Sequence, residues 1–193
     1  MNQRKAFWIV VSLSLLTFLL RLIDLDRRSL WLDESFTLLR IRSTWIDIFN
    51  NIVIRQNDIY TVDINPPLYF ALLKAWGQAT GESTFALRLF SAFFAVLIVP
   101  LSYVLGHRLT TNRDVGLLSA GLALINPSYQ WYASELRPYA LLLFLGAIGT
   151  FFALKLPRQF IFYSVLWVTT VFFSLFTHYS FISLLIAHII IIL

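Results

Sequence analysis

From Ala6 to Ile23, and again from Leu89 to Leu193, the chain is a succession of apolar runs divided by short polar breaks. A run of about 18 or more apolar residues matches the hydrocarbon thickness of a bilayer. In lipid every backbone N–H and C=O group must find its partner within the structure, and continuous rather than alternating apolar runs do this as helices. Composition agrees: 59% of the residues are hydrophobic and only 13% are charged, against roughly a quarter charged in soluble domains, and the mean hydropathy is +0.75. The spacing predicts an all-α, polytopic transmembrane bundle of about six spans, near 6–23, 89–105, 115–132, 138–154, 160–177 and 181–193. One domain over 1–193 suffices, because no internal repeat or flexible linker interrupts it. The first span follows Arg4-Lys5 like a signal peptide, but Leu20-Arg21-Leu22-Ile23 stands where a small-residue cleavage site would be, so it is retained. Without cysteine, disulfides and thiolate metal sites drop out.

The short loops set the expected orientation. Arg4-Lys5, Arg108 with Arg113, and Lys155 with Arg158 fall on one side, which the positive-inside rule makes cytoplasmic. The polar stretch 24–88 then lies outside an inner (plasma) membrane as a first extracytoplasmic loop, together with Glu135-Leu136-Arg137 and His178. All candidate chemistry is thereby placed on one face, and nothing here is suited to nucleic acid.

Within that loop Trp45, Ile48, Phe49, Ile52 and Val53 follow helical spacing, and Thr44 with Asp47 resembles a capping box, so an amphipathic surface helix is expected. A second should start at Pro66-Pro67, with Leu68, Leu72, Leu73 and Trp76 on one side. Two such helices would roof an outward-facing cavity.

Three clusters carry candidate chemistry. Asp33-Glu34 follows the first span: Asp33 is either an N-cap bonding the backbone of Phe36, with Glu34 favoured by the helix dipole, or a general base that takes a proton from a hydroxyl while the second carboxylate orients it or holds a cation. Adjacent carboxylates cannot straddle a glycosidic bond, which excludes a two-carboxylate hydrolase built from this pair. In Asp63-Ile64-Asn65-Pro66-Pro67, Asn65 caps the following helix or faces substrate, and Asp63 is near enough in sequence to share a pocket with Asp33. In Glu135-Leu136-Arg137-Pro138-Tyr139, the proline puts Arg137 at a helix N-terminus. There it either grips an anion with two-pronged geometry, or snorkels to headgroups or pairs with Glu135. His178 reads as a hydrogen-bonding residue, His107 as part of a cytoplasmic turn, and His188, among apolar neighbours, has no role.

The order of these features resembles a family: an Asp-Glu pair after the first helix, Pro66-Pro67-Leu68-Tyr69, Arg88-Leu89-Phe90-Ser91 leading into Tyr103-Val104-Leu105-Gly106, then Trp131-Tyr132 and Glu135 to Tyr139. It is similar to membrane glycosyltransferases of the protein O-mannosyltransferase and aminoarabinose transferase superfamily, over nearly the whole chain. The resemblance implies a GT-C fold and transfer of a sugar from a polyprenyl-phosphate carrier to a lipid, glycan or protein hydroxyl on the outer face, by a single inverting displacement. It makes Asp33 and Glu34 the catalytic pair, and Asp63, Asn65, Glu135, Arg137, Tyr139 and His178 the substrate-binding set, with Arg137 on the carrier phosphate. Many bacterial relatives carry His where Asn65 stands. No metal ligand set is expected, although carboxylates would suit Mg²⁺ or Mn²⁺. Members usually have more spans, so the chain reads as the N-terminal part of a larger enzyme or a truncated, inactive copy. The rival classes are a transporter or flippase subunit for the lipid-linked sugar, with ionisable residues inside its spans, and a noncatalytic membrane partner.

Overall fold

The computed structural model describes residues 2–23, 25–56, 59–156 and 160–192. Arg158 and Leu193, which figure in the expected topology, lie outside the described residues. The bundle is built from α1 (Gln3–Leu22), α5 (Thr84–Thr110), α6 (Arg113–Ile125), α8 (Tyr139–Ala153), α9 (Phe160–Thr177) and α10 (Phe181–Ile192). Among the described residues three helices, α1, α5 and α9, are long and apolar enough to cross a membrane, and α8 and α10 are shorter apolar helices. Helix α5 is the hub and packs against α1, α6 and α8.

Small residues set the closest approach. A Cβ on Gly116 of α6 would lie 2.8 Å from the Tyr103 carbonyl oxygen of α5, so only glycine allows this contact, as is usual where membrane helices touch. The expected span 115–132 is broken. Pro127 disfavours a helical Asn126, which turns extended (φ −63°, ψ 120°) and ends α6, and the Asn126 side chain then caps α7 (Pro127–Ala133) by accepting from Ser128 N at 2.9 Å.

The basic ends gather at one end of the bundle. Arg108, in the last turn of α5, donates to the Leu154 carbonyl just past α8 (3.2 Å). Gln3 of α1 shares a cavity with His107 and Arg113. His107 thus belongs to a helix rather than a turn. His188 also differs from its reading: it is fully buried and tied to α8 and α9. Trp167 Nε1 donates to its Nδ1 at 3.2 Å. Its Nε2 lies 2.9 Å from the Thr150 hydroxyl, which itself donates to the Gly146 carbonyl. The imidazole is therefore a neutral Nε2–H donor that satisfies three helices in an apolar setting.

At the opposite end sits a cap of α2 (Leu32–Arg42), α3 (Trp45–Phe49), an antiparallel hairpin of β1 (Ile52–Gln56) and β2 (Ile59–Val62), and α4 (Leu68–Thr80). The helix expected over 45–53 is only its first turn. Thr44 Oγ1 does accept from Asp47 N (3.1 Å), but Asn51 turns left-handed (φ 60°), a conformation asparagine tolerates. The β-branched run Ile52-Val53-Ile54 then continues as a strand. Helix α4 begins at Leu68, and its buried face is Tyr69, Phe70, Leu73 and Gly77; of the predicted stripe Leu73 is buried and Trp76 packs partly buried on the core, while Leu72 is 40% exposed. Lys74 Nζ donates to the Ile41 and Ser43 carbonyls at 2.8 and 2.7 Å, a cation on the C-terminal end of α2. Tyr69, Phe70, Phe90 and Leu136 fill the core that joins cap to bundle.

Candidate active site

Three arginines are buried around the cap, and what each guanidinium does defines the site. Arg88, near the start of α5, forms a two-pronged pair with Glu34 (Nη2–Oε2 2.7 Å, Nε–Oε1 3.1 Å). Its remaining donors reach the Leu25 and Arg28 carbonyls at 2.9 Å and that of Ser29 at 3.4 Å. Glu34 also accepts from Leu136 N at 2.9 Å. The two side chains are 2% and 1% exposed. Glu34 is thus an anchor joining α2, the 25–29 turn, α5 and the segment before α8.

Arg40, on α2, is fully buried over the Phe70 ring at 3.9 Å. It donates to Asp63 Oδ2, to the Asn65 and Ile48 carbonyls at 3.0 Å, and to Asn51 Oδ1. Burial lowers its pKa, and the Asp63 carboxylate opposes that shift. Asp63 Oδ1 accepts from the backbone and side-chain amides of Asn65 at 2.9 and 2.8 Å. Neither alternative capping role is found: α2 is capped by Trp31 and α4 by Pro67, each without a side-chain cap bond. Asp33 and Glu34 instead occupy the first turn of α2, where the dipole favours acids.

Arg137 is different. It precedes the N-cap Pro138 of α8, is 9% exposed, and donates no hydrogen bond among the described residues. Its Nε is buried without a partner, and its Nη2 lies 3.6 Å from Asp33 Oδ2. The Asp33 side chain is 38% exposed. Asp33, Asp63, Asn65 and Arg137 line one cavity of about 320 Å³, together with Thr61 and Val62 of the hairpin and the following Ile64. A larger cavity of about 690 Å³ between α1 and α5 is mainly apolar, with Phe7, Val10, Phe18 and Phe93 in its walls.

The other expected residues surround Arg137 rather than line this cavity. The Tyr139 ring centroid is 5.9 Å from the guanidinium and 5.7 Å from the ring of His178. His178 Nδ1 accepts from Ser180 N (3.1 Å), which leaves its proton on Nε2. Burial, reinforced by the Arg137 charge and opposed by Asp63, lowers its pKa below the ordinary 6.5. Glu135 is 4% exposed with an unpartnered Oε1. Burial raises its pKa, opposed by a hydrogen bond from Trp131 and by the Arg137 charge, while Glu34 and Asp33 add to the rise.

A family profile described as dolichyl-phosphate-mannose-protein mannosyltransferase matches residues 63–177, more than half of the chain. The chain belongs to this family. It is accordingly an integral membrane protein of the GT-C glycosyltransferase superfamily, and the matched stretch contains Asn65, Arg88, Glu135 and Arg137. No curated protein and no solved structure matches the chain.

The structure brings four of the residues expected from the sequence, Asp33, Asp63, Asn65 and Arg137, to one cavity, and the sequence reading missed the anchoring roles of Arg88 and Arg40. The signal for Arg88 was a lone arginine at the head of a long apolar run, which demands a partner. For Arg40 no pattern existed, because its partners lie 8 to 25 residues away, on α3, at the turn into β1 and beyond β2.

Removing one member of a buried ion pair strands the other, at about 3–5 kcal/mol. Glu34→Ala should therefore lower stability in detergent by about that amount in chemical denaturation, whereas Asp33→Asn should change it by less than about 1 kcal/mol. For His178 the unfolded chain binds its proton at higher pH than the folded one, so acidification below 6.5 favours unfolding. His178→Gln should flatten the fall in melting temperature between pH 7 and pH 5; an unchanged slope would remove this group from the acid response.

Proposed function

We propose that the protein transfers a sugar from a polyprenyl-phosphate carrier to a hydroxyl of a lipid, glycan or protein on the extracytoplasmic face, by an inverting single displacement. The observation that carries this reading is the contrast among the arginines at the cap: Arg88 bonds with all three nitrogens and Arg40 with both terminal nitrogens, only its Nε being unpartnered, while Arg137 faces a cavity with no hydrogen bond donated among the described residues and one exposed carboxylate, Asp33, beside it. A buried guanidinium with unused donors suits a phosphate, which it can grip with two parallel bonds.

In the proposed reaction Asp33 takes the proton of the acceptor hydroxyl as its oxygen forms a bond to the anomeric carbon. The bond from that carbon to the carrier phosphate breaks on the opposite face, and the phosphate leaves with the electron pair. Arg137 stabilises the charge that develops there, so no acid is needed for the leaving group. Nucleophile and leaving group lie on opposite sides of the sugar, so the sugar enters between Asp33 and Arg137 and opens their 3.6 Å contact. Glu34 keeps both in place: it is next to Asp33 in sequence and holds the backbone next to Arg137.

Mannose as the sugar and a protein hydroxyl as the acceptor are the reading nearest to the family description. A Mg²⁺ or Mn²⁺ ion finds a poor donor set here. Among the described residues no three acidic or imidazole groups cluster for a metal, and Asp63 already binds Arg40 and Asn65 with its two oxygens. The basic residues at the far end of the bundle support a cytoplasmic placement of that end.

With radiolabelled dolichyl-phosphate mannose supplied to membranes containing the full-length protein, Asp33→Asn should reduce transfer by about 10²- to 10⁴-fold. Equal transfer by wild type and variant would exclude Asp33 as the base.

A further inference from the structure

The two ends of the Asn65 amide are not equivalent. Its Nδ2 donates to Asp63 Oδ1 at 2.8 Å, and its backbone N–H donates to the same oxygen at 2.9 Å. A carboxylate only accepts, so a flipped amide would set oxygen against oxygen, and the orientation is fixed. The other end, Oδ1, has no hydrogen-bond partner among the described residues. It is nevertheless not sealed off, although the residue as a whole is only 7% exposed and lines the cavity of Asp33 and Arg137. Asp63 cannot swing away to release the amide, because Arg40 holds its Oδ2 at 3.0 Å. Arg40 also holds the Asn65 carbonyl at 3.0 Å and is itself pinned over Phe70. The outcome is a rigid acceptor on the cavity wall, with one of the two Nδ2 hydrogens committed to Asp63.

Such an oxygen cannot pair with phosphate, which offers only acceptors at neutral pH; it needs an O–H donor. The cavity thus has two chemically opposed ends, a guanidinium that suits the phosphate and an amide oxygen that rejects it.

We propose that Asn65 is a specificity-determining residue whose Oδ1 accepts a hydrogen bond from one hydroxyl of the transferred sugar, with Asp63 and Arg40 as positioning residues that fix the amide. This rests on the proposed function and adds to it the part of the donor that this wall reads. A site built to bond a hydroxyl discriminates against the analogue lacking it, because the fixed oxygen is left unpaired.

The test compares dolichyl-phosphate mannose with its series of monodeoxy forms, using the full-length protein as wild type, Asn65→Leu and Asp63→Ala. Wild type should lose about fivefold to tenfold in kcat/KM with one deoxy form. Asn65→Leu should lose a similar factor with the parent donor and no longer distinguish it from that deoxy form. Asp63→Ala, which frees the amide to rotate, should shrink the same ratio. Wild type accepting every deoxy form equally, or Asn65→Leu lowering all donors alike while keeping the ratio, would overturn the proposal; the second result is what a purely structural role gives. Asp33→Asn separates the two claims: if it transfers normally while the deoxy ratio behaves as stated, the catalytic reading falls and the role of Asn65 stands. If wild type neither binds nor transfers any of these donors, both fall.

Discussion

Glu34 and Arg88 stand 54 residues apart and are almost excluded from water, yet their ion pair ties together the two segments that carry Asp33 and Arg137. One oxygen of Glu34 also holds Leu136 N, so the segment carrying Arg137 is fixed from the same carboxylate that fixes α2. Two charges removed from water are retained only where their hydrogen bonds are complete. Here the arginine uses its donors on the carboxylate and on three carbonyls of the 25–29 turn, which have no helix or strand to bond them.

This arrangement explains why the acidic pair works as two different groups. Successive residues on a helix point about 100° apart. Once Glu34 is directed at Arg88, Asp33 must leave the buried direction and face the cavity. Arg40 lies seven residues beyond Asp33, about two turns on, so the same face of α2 carries the acid at one end and the clamp on Asp63 and Asn65 at the other. The site is thus a frame of hydrogen-bonded side chains around one guanidinium, that of Arg137, which donates no hydrogen bond among the described residues. The proposed phosphate grip therefore requires no rebuilding of the frame, only the parting of Arg137 from Asp33.

The bundle was legible in the sequence because lipid enforces long apolar helices, whereas the cap was not. Ile48, Ile52 and Val53 have helical spacing and are all buried, but Asn51 switches the chain from helix to strand between them, and periodicity cannot show a left-handed residue. The same limit misplaced the end of α6, although Asn126-Pro127 held the information needed to find it. Among the site residues, Asp33 and Arg137 were legible as charges at the edge of apolar runs. Their division of labour with Glu34, Arg88 and Arg40 depends on contacts between distant segments that no local pattern encodes. His188 illustrates the converse: apolar neighbours in sequence hid Thr150 and Trp167, its partners on adjacent helices.

The guanidinium of Arg137 is buried with its terminal nitrogens open, and the binding of a polyprenyl phosphate against its uncharged polyprenol tests whether it takes the phosphate. Wild-type protein in detergent should prefer the phosphate, and Arg137→Ala should lose about 10- to 100-fold of that preference, the range of a hydrogen bond to a charged group, while its affinity for the polyprenol stays the same. An Arg137→Ala protein that folds and keeps the full preference would contradict the account.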